Sequence, residues 1–314
     1  MREQPELGWL ERLEPALLLS AVAVGLGVAR LVPGASALAG PAIPPALVLL
    51  LLAVFSRVPL DRLRVAFTQR RYFGVALAVN FLLTPLVAYG LGWLFLRDAP
   101  ALWLGLVLVL VTPCTDWYLV FTALARGDVP LNLALLPWNL LLQLALLPVY
   151  LYVFTRALIP LEAGLLLRSV LLYVVVPLAL AQLLRRVLPS SALERRMVAV
   201  QYAALTVLIV ALFAHQGEVL FERPLVLLRL VPPVVLFFVL LALVAVMVGR
   251  WAGFAAPTRA ALACTACARN SPLTLSLALV LFPGYPLVAL SQVVEPLLEL
   301  PLLVLLSAWL RRTR

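Results

Sequence analysis

Ten apolar stretches, each close to the roughly 20 residues a helix needs to cross a hydrocarbon layer, follow one another along the chain with short connections. The first half carries Leu13–Leu31, Pro41–Ser56, Phe73–Leu96, Ala101–Leu124 and Leu131–Phe154. The second half carries Leu165–Leu184, Met197–Ala214, Leu225–Val248, Ala260–Phe282 and Pro286–Leu310. In lipid a helix satisfies every backbone N–H and C=O within its own segment, so runs of this kind fold as helices. Of 314 residues, 65% are hydrophobic and 12% charged, and the mean hydropathy is +1.11. A soluble domain carries about twice that charged share. The second run is short and begins at Pro44-Pro45, so it is expected to be tilted or partly re-entrant. The fold class is an all-α polytopic membrane protein of ten transmembrane helices. Five lie in residues 1–158 and five in residues 159–314. An odd number of spans per half makes the two five-helix repeats inverted.

Charge follows topology. The net charge is +10, all 24 basic residues are arginine, and most sit in the short connections. No basic stripe runs along a soluble face, which argues against a nucleic-acid partner. With the N-terminus inside, the cytoplasmic segments hold 17 arginines and the opposite side 6, while Arg269 lies within a span. That excess places both termini on the cytoplasmic side of the inner (plasma) membrane, with lipid as the surrounding partner. Ala37-Leu38-Ala39 would suit a signal peptidase. However, Glu3, Glu6, Glu11 and Glu14 outweigh Arg2 and Arg12, which is the wrong flank for a signal peptide, so the first run is expected to remain a span.

Two runs are interrupted. Thr112-Pro113-Cys114-Thr115-Asp116 breaks the fourth and Arg269-Asn270-Ser271-Pro272 the ninth, each near mid-depth. Proline removes a backbone donor and clashes with the preceding turn, so Pro113 and Pro272 are each expected to open a helix. The fifth and tenth runs follow with polar pairs at helical spacing, Asn139/Gln143 and Glu295/Glu299. Cys114 and Gln143 are 29 residues apart, as are Asn270 and Glu299. Interrupted segments at matching places in two halves point to the binding site of a secondary transporter. Ordinary proline kinks are the plainer alternative.

Asp116, Glu295, Glu299 and Arg269 are ionisable groups within spans, each costing on the order of 2.5–3.5 kcal/mol at mid-membrane. Such groups face a cavity or a partner, and the carboxyls are candidates for proton or ion coupling. Arg269 either takes part in binding or pairs with Asp116 or Glu295 to hold spans together. Cys114 stands at the start of a half-helix, where a thiolate is stabilised and soft metal or metalloid chemistry becomes available; the alternative is a small apolar filler. Cys264 and Cys267, one helix turn apart, are either filler or additional thiol ligands. No disulfide framework is expected from three cysteines in apolar runs. Asn139, Gln143 and Asn270 either line the crossing or bond across helices. Trp9, Trp93, Trp103, Trp251 and Trp309 fall near span ends and read as interfacial anchors, and His215 as an interfacial residue. With no phosphate-binding loop, nucleotide fingerprint or nucleophile–base pair, the chain is read as a secondary transporter, not an enzyme, and without a cofactor.

The stretch Pro113-Cys114-Thr115-Asp116-Trp117-Tyr118-Leu119-Val120, then Arg126-Gly127-Asp128 and Asn139 to Gln143, resembles the arsenite/antimonite efflux permeases of the bile acid:sodium symporter superfamily. Glu295-Pro296-Leu297-Leu298-Glu299-Leu300-Pro301 is similar to that family's final-span signature. The resemblance covers essentially the whole chain. It implies export of trivalent arsenite or antimonite, a small inorganic oxyanion or neutral metalloid hydroxide, in exchange for protons. Cys114 would be the essential metalloid ligand and Glu299 the proton carrier, with Glu295 or Asp116 tuning it. Where that family carries arginine before the cysteine and small or apolar residues after it, this chain has Pro113 before and Thr115-Asp116 after, so it resembles a divergent branch. The other activity found in the superfamily, Na+-coupled uptake of an organic anion, is the alternative. Binding without transport, as in a membrane-embedded sensor, is a third reading.

Overall fold

The computed structural model describes residues 9–56, 68–115, 117–155, 175–187, 190–216, 221–222 and 225–312. Helix α1 (Trp9–Leu31) is followed by α2 (Ala35–Ala39), which passes through a 3-10 turn into α3 (Ile43–Ser56). Next come α4 (Arg70–Ala78), continued through a π turn at Val79–Leu83 into α5 (Thr84–Leu96), and then α6 (Pro100–Leu110), α7 (Trp117–Leu124) and α8 (Val129–Thr155). The second half contains α9 (Val176–Val187), α10 (Ser190–Gln216), α11 (Val231–Trp251), α12 (Ala256–Cys267), α13 (Ser271–Leu281) and α14 (Pro286–Arg312). Among the described residues there is no β-strand, only one isolated bridge between two chain segments.

Six helical stretches among the described residues are long and apolar enough to cross a membrane: Ala35–Ser56, Arg70–Leu96, Val129–Phe154, Arg196–His215, Val226–Trp251 and Pro286–Arg312. They coincide with the expected second, third, fifth, seventh, eighth and tenth spans. The expected fourth and ninth spans are each two short helices, α6 with α7 and α12 with α13. At 1.5 Å per residue the halves run from about 12 to about 18 Å, so two in line match a hydrocarbon layer of about 30 Å. The first run lies within α1, and the first half of the expected sixth, Leu165–Leu184, falls outside the described residues, its second half lying largely in α9. Large apolar side chains such as Leu82, Leu86, Leu183, Leu305 and Trp251 stand exposed on the outer surface. On a chain this apolar they are the lipid-facing side.

The helices pack as two groups. Helices α1, α3, α9 and α10 contact one another, and α4 to α8 pack with α11 to α14. Contacts between the groups run through α1 and α10 against α14, and α3 against α13. In the larger group α5 and α6 meet at Gly92, where a Cβ would overlap the indole of Trp103. Trp103 is therefore buried, tilted against Tyr89 at 5.1 Å, and is not the interfacial anchor its position suggested. Trp93 and Trp251 do stand exposed. Arg229, in a 3-10 turn (Val226–Leu230) leading into α11, donates to Asp98 at 2.5 Å, and that bond holds the exposed carboxyl below its usual pKa.

Candidate transport site

Both interruptions have local causes. Helix α6 ends as the Thr112 hydroxyl turns back onto the carbonyls of Val109 (2.9 Å) and Leu108 (3.3 Å), and Pro113 has no N–H with which to continue. In the second segment Ala268 is extended, and Asn270 caps α13 by accepting from the Leu273 N–H at 3.3 Å. Pro272 lies in the first turn of α13, where a missing N–H costs nothing. It therefore helps to start the second half-helix rather than opening a continuous one.

The unwound segments meet. Pro113 and Arg269 form an antiparallel bridge, with Cys114 N–H donating to Ala268 O at 3.0 Å and Asn270 N–H to Thr112 O at 3.0 Å. This pairing satisfies backbone groups that would otherwise be stranded in lipid. Cys114 is buried at the crossing, and its neighbour Thr115 accepts from the Asn270 amide at 3.2 Å. Asp116, a sequence candidate, lies outside the described residues. Helix α14 brings both glutamates to the second break. Glu299 Oε1 accepts from the Arg269 backbone N–H at 2.8 Å. Glu295 Oε2 accepts from the Ser271 hydroxyl, while its Oε1 is buried without a hydrogen-bond partner. Beside Ser271 a cavity of about 20 Å³ lies between the two helix groups, lined by Leu205 and Ile209 of α10 and by Pro272, Gln292, Val293 and Pro296.

A second polar cluster adjoins α12. Asn80, in the π turn, donates to Asn139 Oδ1 and to Thr265 Oγ1, both at 3.2 Å, and Asn139 also donates to Thr265 at 3.2 Å. Gln143 is buried one turn further along α8, its side-chain oxygen and nitrogen both without partners. Asn139 thus bonds across helices. Asn80 and Thr265 were not singled out from the sequence, although a lone asparagine inside the apolar run Phe73–Leu96 was visible there. The guanidinium of Arg269 is fully enclosed and donates to backbone carbonyls of both broken segments.

The three cysteines form no disulfide. Cys267 Sγ contacts the Phe238 carbonyl on α11 at 3.7 Å, and Cys264 is fully buried on α12. Among the described residues no three His, Cys, Asp or Glu side chains converge as a metal cage. His215 is half-buried near a helix end, its Nδ1 2.9 Å from Ser36 Oγ.

The sequence matches the Sodium Bile acid symporter family over residues 44–223. It is also 27% identical over 326 aligned residues to the arsenical-resistance protein Acr3 of Corynebacterium glutamicum, an alignment covering 95% of this chain and 88% of that one. Broken apolar helices paired inside a helical membrane protein agree with both findings: the chain belongs to the sodium bile acid symporter family and is a membrane transporter, not an enzyme.

Proposed function

We propose that this chain exports trivalent arsenite and antimonite across the inner membrane in exchange for protons. The reading is of a ten-span protein built from two inverted five-span repeats, residues 1–158 and 159–314, with both termini cytoplasmic. The similarity to an arsenical-resistance protein supports the substrate. The parting of the helices into two groups supports the architecture, because rocking of one bundle against another gives alternating access.

The observation that carries the proposal is the backbone pairing at Pro113 and Arg269, which holds the Cys114 backbone against Ala268, while Asn270, Glu295 and Glu299 bond to the same two unwound segments. Arsenite at neutral pH is a neutral trihydroxide. The Cys114 thiol would displace one hydroxide: a sulfur–arsenic bond forms, an arsenic–oxygen bond breaks, and the thiol proton leaves with the hydroxide as water. No electron changes hands. Glu299, and Glu295 with its unpartnered oxygen, would take and release the exchanged proton as the bundles move. Asp116 would tune that step, Asn270 would line the crossing, and Gln143, both of its side-chain polar atoms unpartnered, would line it from the adjoining cluster in which Asn139 bridges helices. Cys264 and Cys267 are assigned to packing, since both are fully buried on α12 and Cys267 Sγ lies against the Phe238 carbonyl of α11.

The test is flux into everted membrane vesicles under an imposed proton gradient. Wild type should accumulate arsenite and antimonite, and Cys114→Ala should accumulate neither while reaching the membrane at the same level. Full retention of flux by Cys114→Ala would remove the thiol from the mechanism.

A further inference from the structure

Arg269 is the bulkiest fully buried side chain among the described residues. A guanidinium enclosed at membrane depth needs compensation, and the structure supplies it from backbone. Helices α6 and α12 both end at the crossing, at Leu110 and Cys267. The last carbonyls of a helix have no partner of their own, and that end carries about half a negative charge. Arg269 draws these ends together: one terminal nitrogen donates to Leu110 O at 2.9 Å, the other to Thr265 O at 3.2 Å and to Ala266 O, and Nε to Cys267 O at 3.2 Å. The guanidinium carbon lies 5.4 Å from the centre of the Phe237 ring, on which the cation rests.

Free carbonyls at the C-terminal ends of half-helices are what a carrier of this kind uses to coordinate sodium. Here four of them are already taken by a cation that is part of the chain. We infer that Arg269 is a tethered cation occupying the place of a coupling sodium ion, so that the transporter works without sodium. The planar fork of the guanidinium suits the task, because its five N–H donors can serve both helix ends at once. It also cannot leave. The charge that compensates the crossing is then constant throughout the cycle and is not supplied by a gradient.

This inference rests on the carrier reading, but ion binding can be measured with no flux at all, so the two can fail separately. The purified protein is titrated with NaCl against choline chloride at constant ionic strength, following thermal stability and radiolabelled sodium binding. Wild type should show no sodium-dependent stabilisation and no saturable sodium binding. Arg269→Ala should be less stable in choline, and sodium or methylguanidinium should raise its melting temperature by about 5 °C or more, as expected when a vacated site is refilled. Arg269→Lys, which keeps a tethered charge, should remain indifferent to sodium and covers the case in which the alanine variant does not fold. One sodium bound per wild-type chain would overturn the inference. So would a folded Arg269→Ala that responds to neither cation, or an Arg269→Lys stabilised by sodium.

Discussion

At residue 80 a single amide links three helices. Asn80 sits in a π turn, an insertion that rotates the side chains after it and recurs at functional positions. From there it donates to Asn139 of α8 and Thr265 of α12. Replacing it with alanine leaves Asn139 Oδ1 short of a donor in a dry interior, a loss of about 1–3 kcal/mol. Asn80→Ala should therefore lower the melting temperature of the purified protein; Asn80→Leu, which also fills the space, serves as the volume control. Equal stability of Asn80→Ala and wild type would mean that water enters the cluster. The sequence disclosed the polar residues of the breaks because each interrupts an apolar run. Cys114, Asn270, Glu295 and Glu299 were legible on that ground, and the structure does bring them to one crossing. Asn80 interrupts no helix, and its importance comes from partners 59 and 185 residues away in sequence. The partners of Arg269 were hidden for a similar reason: backbone carbonyls leave no signature in side-chain pattern.

At the scale of the helix, proline placement explains most of what the apolar pattern foretold. Pro113 and Pro272 flagged both interruptions, yet they act differently, the first within the bridge and the second as a starter of α13. Pro137 and Pro148 in α8, and Pro296 and Pro301 in α14, leave those helices continuous. Proline alone therefore does not mark a break; proline next to a polar cap or a hydroxyl that bonds backward does. Helix pairing is governed by contacts that periodicity cannot show. Trp103 looked interfacial from its place near a run end, but Gly92 opens a slot that takes the indole inward. A methyl at that position must displace the ring, and overpacking of this sort costs about 1–3 kcal/mol. Gly92→Ala should reduce thermal stability measurably, and the double variant Gly92→Ala with Trp103→Leu should regain part of it. Additive losses would show that the two residues do not share the slot.

Over the whole molecule, the described helices form one group around the paired breaks and another beside it, with the small cavity at Ser271 on the line between them. This is the arrangement in which rigid-body rocking would alternately expose a fixed site. The all-helical membrane class was readable from ten apolar runs, because lipid admits so few ways to satisfy a backbone. Which bundles pack together was not readable, since every run is apolar on several faces. The central claim is that a single thiol at the crossing holds the metalloid, and arsenic X-ray absorption on the purified, arsenite-loaded protein tests it most directly. One sulfur neighbour per bound arsenic in wild type, replaced by oxygen alone in Cys114→Ala, is the predicted result. Bound arsenic with only oxygen neighbours in wild type, or with sulfur retained in Cys114→Ala, would contradict it.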